Sequence, residues 1–437
     1  PLLEADATAT ITMDGFEVRR FTRRLASATF KELKDESLRY ELELMPALWF
    51  LRFGKNTRKF RDMTTEAIVA TVLNEGAVPH VFKNTRPADS RPYCVQYRES
   101  NLAFVLRLLE FEGFYYYFEP DGTMVIGDKS SAEDMVEGIS VFQLRESDGA
   151  LAHGEVGIDS IWKGNQLAPG RSTVSDYNWK TPKVSLRKSA AGGRDQDLDV
   201  YQYPVGYRDP AQGAVLARLR MEQLTCEKTF GEGTSTIPQF SPGRRFDFVH
   251  AEAVDFSGRY LLVRLEHRFV SARGAEEKGS YENKFFAIPA SVPWRPPLAT
   301  PQPIVQGNHT VMVRGPAGEQ IHTDSYGRAK VQFHWDREAR GTGEDSHRIR
   351  VLQETSSSMV LYRVGWETVV SYVDGDPDRP IGIARNINGQ MMPTYGQPAR
   401  KNMMTIKTEC YPGKQGFNEL RMDDSMGEMR MDFHAQR

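Results

Sequence analysis

The stretch from Gly327 to Gln390 constrains the fold most. Its first run, Gly327 to Glu338, places Val331, Phe333 and Trp335 on one side and Lys330, Gln332, His334 and Asp336 on the other. A period of two is the mark of a strand with one buried face. Arg348 to Gln353 alternates again, with Ile349 and Val351 inward. Trp366 to Val373 is a third apolar, β-branched run, and Pro380 to Arg385 a fourth. Asp374-Gly-Asp-Pro-Asp between the last two is turn chemistry: Gly375 accepts positive φ, and Pro377 presets its own φ. Short strands this closely spaced, with no helical period among them, predict a small closed barrel of the OB type.

These residues resemble the OB region of the VgrG family, the spike proteins of type VI secretion. In that family a segment near "YGRVKVQFHWDRE" precedes "GDPDRPI" and a short "NG" turn. The matching residues here are Tyr326 to Glu338, then Gly375, Asp376, Pro377, Asp378, Arg379, Pro380 and Ile381, then Asn388-Gly389. The chain departs from the pattern between Gln353 and Gly365, where the family has a loop rich in Gly and Trp. Arg91 to Phe118 extends the resemblance into the first part of the chain. What precedes the OB region is similar to the family's tail hub, which the resemblance implies to be two related β-barrels. The expected architecture is therefore mainly β. A hub-like region over 1–290, truncated at its start, leads to a Pro-rich linker at 291–303. An OB-fold domain follows at 304–392, then a neck at 393–437 leading to a truncated β-helical needle.

Read in order, the first 290 residues are β-rich with three helices. Phe16 to Phe21 and Leu38 to Leu44 are strand-like. Thr64 or Thr65 can cap a helix whose stripe is Ile68, Val69, Val72 and Leu73 and whose end is Gly76. Ser100 to Glu112 reads as a second helix ending at Gly113, and Asp209-Pro210 opens a third. Phe114 to Phe118, a turn and Met124 to Ile126 form a hairpin, with Phe114, Tyr116 and Phe118 expected on its buried face. Residues 130–170 hold a polar connection, Ser189 to Gln196 reads as a mobile loop, and Tyr260 to Val270 is a strand with His267 on its apolar side. Pro289 to Pro303 carries six prolines in fifteen residues, which reads as a semi-rigid linker.

Composition narrows the function. A formal net charge of −2 supplies no global basic field for nucleic acid, and Phe333 and Trp335 share the apolar face instead of forming a stacking platform. No apolar run reaches 18 residues. No secretory signal opens the sequence, and cytoplasmic synthesis with export by another route is the expectation. Cys94, Cys226 and Cys410 are too scattered for a disulfide framework or a zinc site. His322, His334 and His347 fit no metal spacing, and Asp374-Gly-Asp-Pro-Asp lacks the Gly and Glu of a calcium loop. No nucleophile elbow, Walker loop or His-Glu-x-x-His motif occurs. The expectation is no catalytic residue, no metal and no cofactor.

The tail alternates strongly. Leu420 and Met422 face one way, as do Met429, Met431 and Phe433. A short ribbon cannot bury such a face alone, so these five residues are the candidate assembly interface, and the resemblance implies that the interface is that of a trimer. The resemblance implies a homotrimer joined to the baseplate, with a hexameric tube protein (Hcp) at the hub end and a tip protein and effectors at the needle end. It also implies a purely mechanical encounter with the target membrane. The competing expectation is a spike-associated effector enzyme such as a cell-wall hydrolase.

Overall fold

The computed structural model describes residues 3–13, 16–34, 37–145, 156–251, 254–270, 280–341, 343–344, 346–355, 357–413 and 416–436. Residues 146–155 of the expected polar connection, and Arg437, lie outside them. The chain divides into two compact units. One comprises Pro1–Lys55, Met63–Arg91 and Ser100–Gln302; the other comprises Asn56–Asp62, Pro92–Glu99 and Pro303–Arg437. The run of 1–290 expected as a single region is thus interrupted twice by segments that belong with the barrel.

In the first unit, local sequence signals set the helix ends. Helix α1, Thr65–Glu75, starts where the Thr64 side chain accepts the Ala67 N–H. Helix α2, Asn101–Glu112, starts where Ser100 accepts the Ala103 N–H and stops at Gly113, whose φ of 68° favours glycine. Helix α3, Pro210–Thr225, is capped by Asp209, which accepts two backbone N–H groups. The apolar stripes of α1 and α2 are buried at Ile68, Val69, Val72, Leu73, Phe104, Val105, Leu108 and Leu109.

Among the described residues the strands of this unit form four sheets. A three-stranded antiparallel ribbon joins Asp6–Met13, Phe16–Lys34 and Ser37–Met45. A six-stranded sheet runs in the order Ile158–Asn165, Thr229–Ser235, Ser280–Pro289, Gly258–Val270, Arg245–Phe248, Val141–Phe142. Its core packs Phe142, Phe240, Phe246, Phe248, Tyr260 and Phe285. A small sheet of Lys188–Ala191, Arg171–Val174 and Asp199–Gln202 is covered by α3. The fourth sheet joins His80–Lys83, Met124–Gly127 and Tyr115–Phe118.

Three readings from the sequence are corrected here. In the aromatic run Tyr115 and Tyr117 are buried, while Tyr116 and Phe118 are only half-buried. The reversal has a polar cause: both tyrosine hydroxyls donate to the buried Glu133 carboxylate, at 2.6 and 2.8 Å. Phe114 is buried, but it precedes the strand. Ser189, Ala190 and Ala191, the start of the expected mobile loop, belong to a strand, Lys188–Ala191, paired antiparallel to Arg171–Val174. The Pro-rich segment, read as a semi-rigid linker, is fastened to the first unit up to the unit boundary at 302/303. Glu110 accepts from the N–H groups of Ala299 and Thr300 and from the Thr300 hydroxyl, and Arg295 pairs with Glu222 at 2.8 Å.

In the second unit five strands close a barrel. Its order is His309–Arg314, Ala329–Phe333, His347–Val351, Pro380–Asn386, Glu367–Tyr372, and back to the first. The sequence reading anticipated four of these strands and missed His309–Arg314. Val311, Val313, Val331, Phe333, Ile349 and Val370 fill the interior. After the barrel, Met403–Glu409, Phe417–Asp423 and Arg430–Ala435 form an antiparallel three-stranded sheet.

His267 is a satisfied histidine on the inner side of its strand. Its Nδ1 lies 2.7 Å from the Tyr281 hydroxyl, which also accepts from Asn283 at 3.1 Å. Burial, with Arg19 nearby, lowers its pKa to about 4. The unfolded imidazole titrates near 6.5, so between about pH 6.5 and 4 the unfolded chain binds the extra proton. Stability should therefore fall as pH drops through that window. Scanning calorimetry from pH 7.5 to 4.5 should show a melting midpoint that declines less steeply in His267→Gln than in the native chain.

Candidate functional site

The C-terminal sheet is two-faced by construction. Cross-strand register sets Leu420 opposite Ile406 and Phe433, and Met422 opposite Met404 and Met431. These six side chains therefore share one face. Met404, Ile406, Met431 and Phe433 are 58%, 60%, 58% and 80% exposed, and Leu420 and Met422 are half-buried. A shallow depression on this face is lined by Ile406, Leu420, Phe433 and Ala435. Met429 is 78% exposed, but it lies just before the Arg430–Ala435 strand, outside the paired register. The structure thus brings together four of the five interface residues read from the sequence and leaves Met429 at the sheet's end.

The opposite face is polar and is buried along the central strand, while Lys407, Glu409, Arg430 and His434 at its sides stay exposed. Glu419 is 8% and Asp423 is 7% exposed. Glu419 accepts from the Tyr395 hydroxyl at 2.7 Å and from Thr405 at 2.6 Å. Arg421 pairs with Asp432, donating through Nε at 3.0 Å. Asn402 and Ser425 both donate to Asp423 at 2.6 Å. A sheet that spends its protected side on hydrogen bonds and leaves its apolar side in water inverts the usual arrangement. Met404 and Ile406 complete the apolar face and were missed from the sequence. The signal was there, because Met404, Ile406 and Thr408 alternate with Met403, Thr405 and Lys407.

The motif residues of the barrel are structural. Val331 and Phe333 are each 1% exposed, and Trp335 stacks on Phe333 with ring centroids 4.8 Å apart. Gly375 has a φ of 72° and closes the turn between Tyr372 and Pro380, which pair across the hairpin. Asp376 accepts the Asp378 N–H at 2.9 Å and pairs with Arg379 at 3.2 Å. Asp378 accepts the Val95 N–H at 2.6 Å, and Pro377 and Pro380 are buried. Their regular purpose is to hold a turn and an edge of the barrel.

His322, His347 and His309 each contact a polar or aromatic neighbour, while His334 is exposed. His322 lies 2.7 Å from Glu319 and 2.9 Å from an Arg348 guanidinium nitrogen. His347 stacks on Tyr93 at 3.7 Å, and His309 touches the hydroxyls of Tyr97 and Tyr372 at 3.2 and 2.7 Å. Among the described residues no three His, Cys, Asp or Glu side chains are placed to hold a metal, and no helix is long and apolar enough to cross a membrane.

Residues 1–272 match the phage tail baseplate hub (GPD) family. The chain belongs to the phage tail baseplate hub family. It is 32% identical over 432 residues to the type VI secretion system spike protein VgrG4b of Pseudomonas aeruginosa, covering 91% of this chain and 52% of that protein. It is 30% identical over 419 residues to the actin cross-linking toxin VgrG1 of Vibrio cholerae, covering 91% of this chain and 37% of that protein. The chain thus spans about half, or less, of these relatives. In fold it is similar to an E. coli component of the type VI secretion system described as structurally similar to the T4 bacteriophage tail proteins gp27 and gp5. The TM-score there is 0.61 at 20% identity, over 88% of this chain and 87% of the other. The resemblance to VgrG spike proteins read from the barrel motifs is borne out, and so is the mainly β hub-and-barrel fold.

The polar face of the hub protein's C-terminal sheet carries its own pH dependence. Burial opposes ionisation of Glu419, but hydrogen bonds from Thr405 and Tyr395 and the charges of Lys407 and Arg421 hold its carboxyl below the usual range. Hydrogen bonds from Ser425 do the same for Asp423. Carboxyls with lowered values stabilise the fold above the ordinary carboxylate pKa and lose that contribution as pH falls through the lowered values. Amide protection at 403–409 and 417–423, relative to the intrinsic exchange rate, should therefore fall below about pH 4. Glu419→Gln should lower that protection already at neutral pH and flatten its acid dependence.

Proposed function

We propose that this chain forms the hub and spike base of a type VI secretion machine and assembles as a homotrimer. The observation that carries the reading is the bare apolar face of Met404, Ile406, Leu420, Met422, Met431 and Phe433 above a satisfied polar face. Burying one such side chain is worth about 1.5–3 kcal/mol. A rotationally symmetric assembly lets every copy bury the same face at once. The neck at 393–437 would then lead into a β-helical needle.

In this reading the hub end caps a hexameric tube protein (Hcp) on the baseplate, and the needle end carries a tip protein and effectors. The mechanism is mechanical: contraction drives a rigid β-rich plug through the target membrane. The protein is assembled in the bacterial cytoplasm and leaves with the tube. The chain itself contributes no chemistry in this account. The second reading, a spike-associated effector enzyme such as a cell-wall hydrolase, draws support from the relative named as an actin cross-linking toxin.

Light scattering after gel filtration should give a mass about three times 49.6 kDa. Met431→Asp with Phe433→Asp should shift the population to monomer while leaving the circular dichroism of the hub and barrel unchanged. A monomer for the native chain, at concentrations well above those of the tube assembly, would sink the trimer. Export is tested separately: in a contraction-competent strain the protein should appear in culture supernatant, and deletion of the sheath should abolish that signal.

A further inference from the structure

The barrel's five strands all come from residues 309–386, but its core does not. Tyr93, Val95 and Tyr97 are 4%, 1% and 6% exposed and pack in one cluster with Val311, Val331, Phe333, Ile349 and Tyr372. They lie on or beside the strand Cys94–Ser100, which hydrogen-bonds to Lys55–Phe60. Both strands come from the first hundred residues, and both belong almost wholly to the second unit.

Polar contacts fix this ribbon at several points. The Val95 N–H donates to Asp378 at 2.6 Å, and Lys59 forms a buried ion pair with Asp336. Arg61 donates to the Ser346 carbonyl at 3.0 Å, and Arg337 donates to Asn56 at 2.7 Å. Asp336 is one of two acids in the "HWDRE" segment and Asp378 one of two in "GDPDRPI". One acid of each barrel motif therefore meets a strand pair supplied from far upstream.

The chain path gives the ribbon a mechanical meaning. The backbone enters the second unit at 55/56, leaves at 62/63, re-enters at 91/92, leaves at 99/100 and enters for good at 302/303. Five peptide connections join the two units, where a domain strung on a proline linker would have one. We infer that residues 56–62 and 92–99 act as a cis strap: the barrel is not an autonomous domain but is stitched into the hub chain, so force on either unit is shared by five backbone crossings. Cutting the Pro-rich segment leaves the strap covalently on the hub fragment and packed inside the barrel. The strap holds whether the protein is monomeric or trimeric, so its test is separate from that of the oligomer.

The test inserts a site-specific protease sequence between Gln302 and Pro303 of the full chain. After cleavage, a denaturing gel should show two fragments, while gel filtration with light scattering should show one species of uncut mass. Separate elution of the barrel fragment overturns the strap. Val95→Asp with Tyr97→Ala in the cleaved protein should release the barrel fragment or strip protection from its amides. Co-elution with protection intact would show that something else holds the fragments, and would also overturn the strap. A milder variant guards against global misfolding. Asp378→Ala removes the acceptor of the Val95 N–H, and should speed amide exchange over 92–99 at least tenfold while exchange over 258–262 stays unchanged. Equal exchange over 92–99 in the two proteins would count against the proposal.

Discussion

The buried ion pair between Lys59 and Asp336 sets the terms for the second unit. A charge held away from water is costly on its own, and either partner without the other is strongly destabilising. The pair therefore leaves the Lys55–Phe60 strand one place to go, beside the turn that follows the Ala329–Phe333 strand. With that strand comes Cys94–Ser100, and with it Tyr93, Val95 and Tyr97, which complete the barrel core. One electrostatic constraint thus ties residues nearly three hundred positions apart into a single packed body.

Polar chemistry decides packing elsewhere in the chain as well. Glu133 draws Tyr115 and Tyr117 inward and so chooses which side of an all-aromatic strand is buried. Glu110, itself 9% exposed, gathers three donors from Ala299 and Thr300 and fastens a segment whose prolines leave few N–H groups of its own. In the C-terminal sheet the same logic leaves an apolar surface bare, because the buried Glu419 and Asp423, with Arg421 between them, occupy the other side of the central strand.

Much of this was legible in the residues. Thr64, Ser100 and Asp209 announced the three helix starts, because a cap is a contact over two or three positions and needs no tertiary partner. Alternation announced Ala329–Phe333 and Glu367–Tyr372, and the glycine at 375 announced its turn. His309–Arg314 was harder, since its His and Arg ends dilute a core of only Val311 and Val313. Lys188–Ala191 carries the small, flexible composition of a loop, and it becomes a strand only because Arg171–Val174 offers it a partner.

By itself the sequence determined what short-range physics can decide: helix caps, period-two strands, the turn at 374–378 and the alternating tail. Tertiary structure alone decided which phase of Phe114 to Phe118 is buried, that the Pro-rich segment is fastened to the hub, and that residues 56–62 and 92–99 belong to the barrel. The reason is common to all three. Each depends on a buried carboxylate or an unfilled core finding its partner across a long stretch of chain, and no local pattern records where that partner will be.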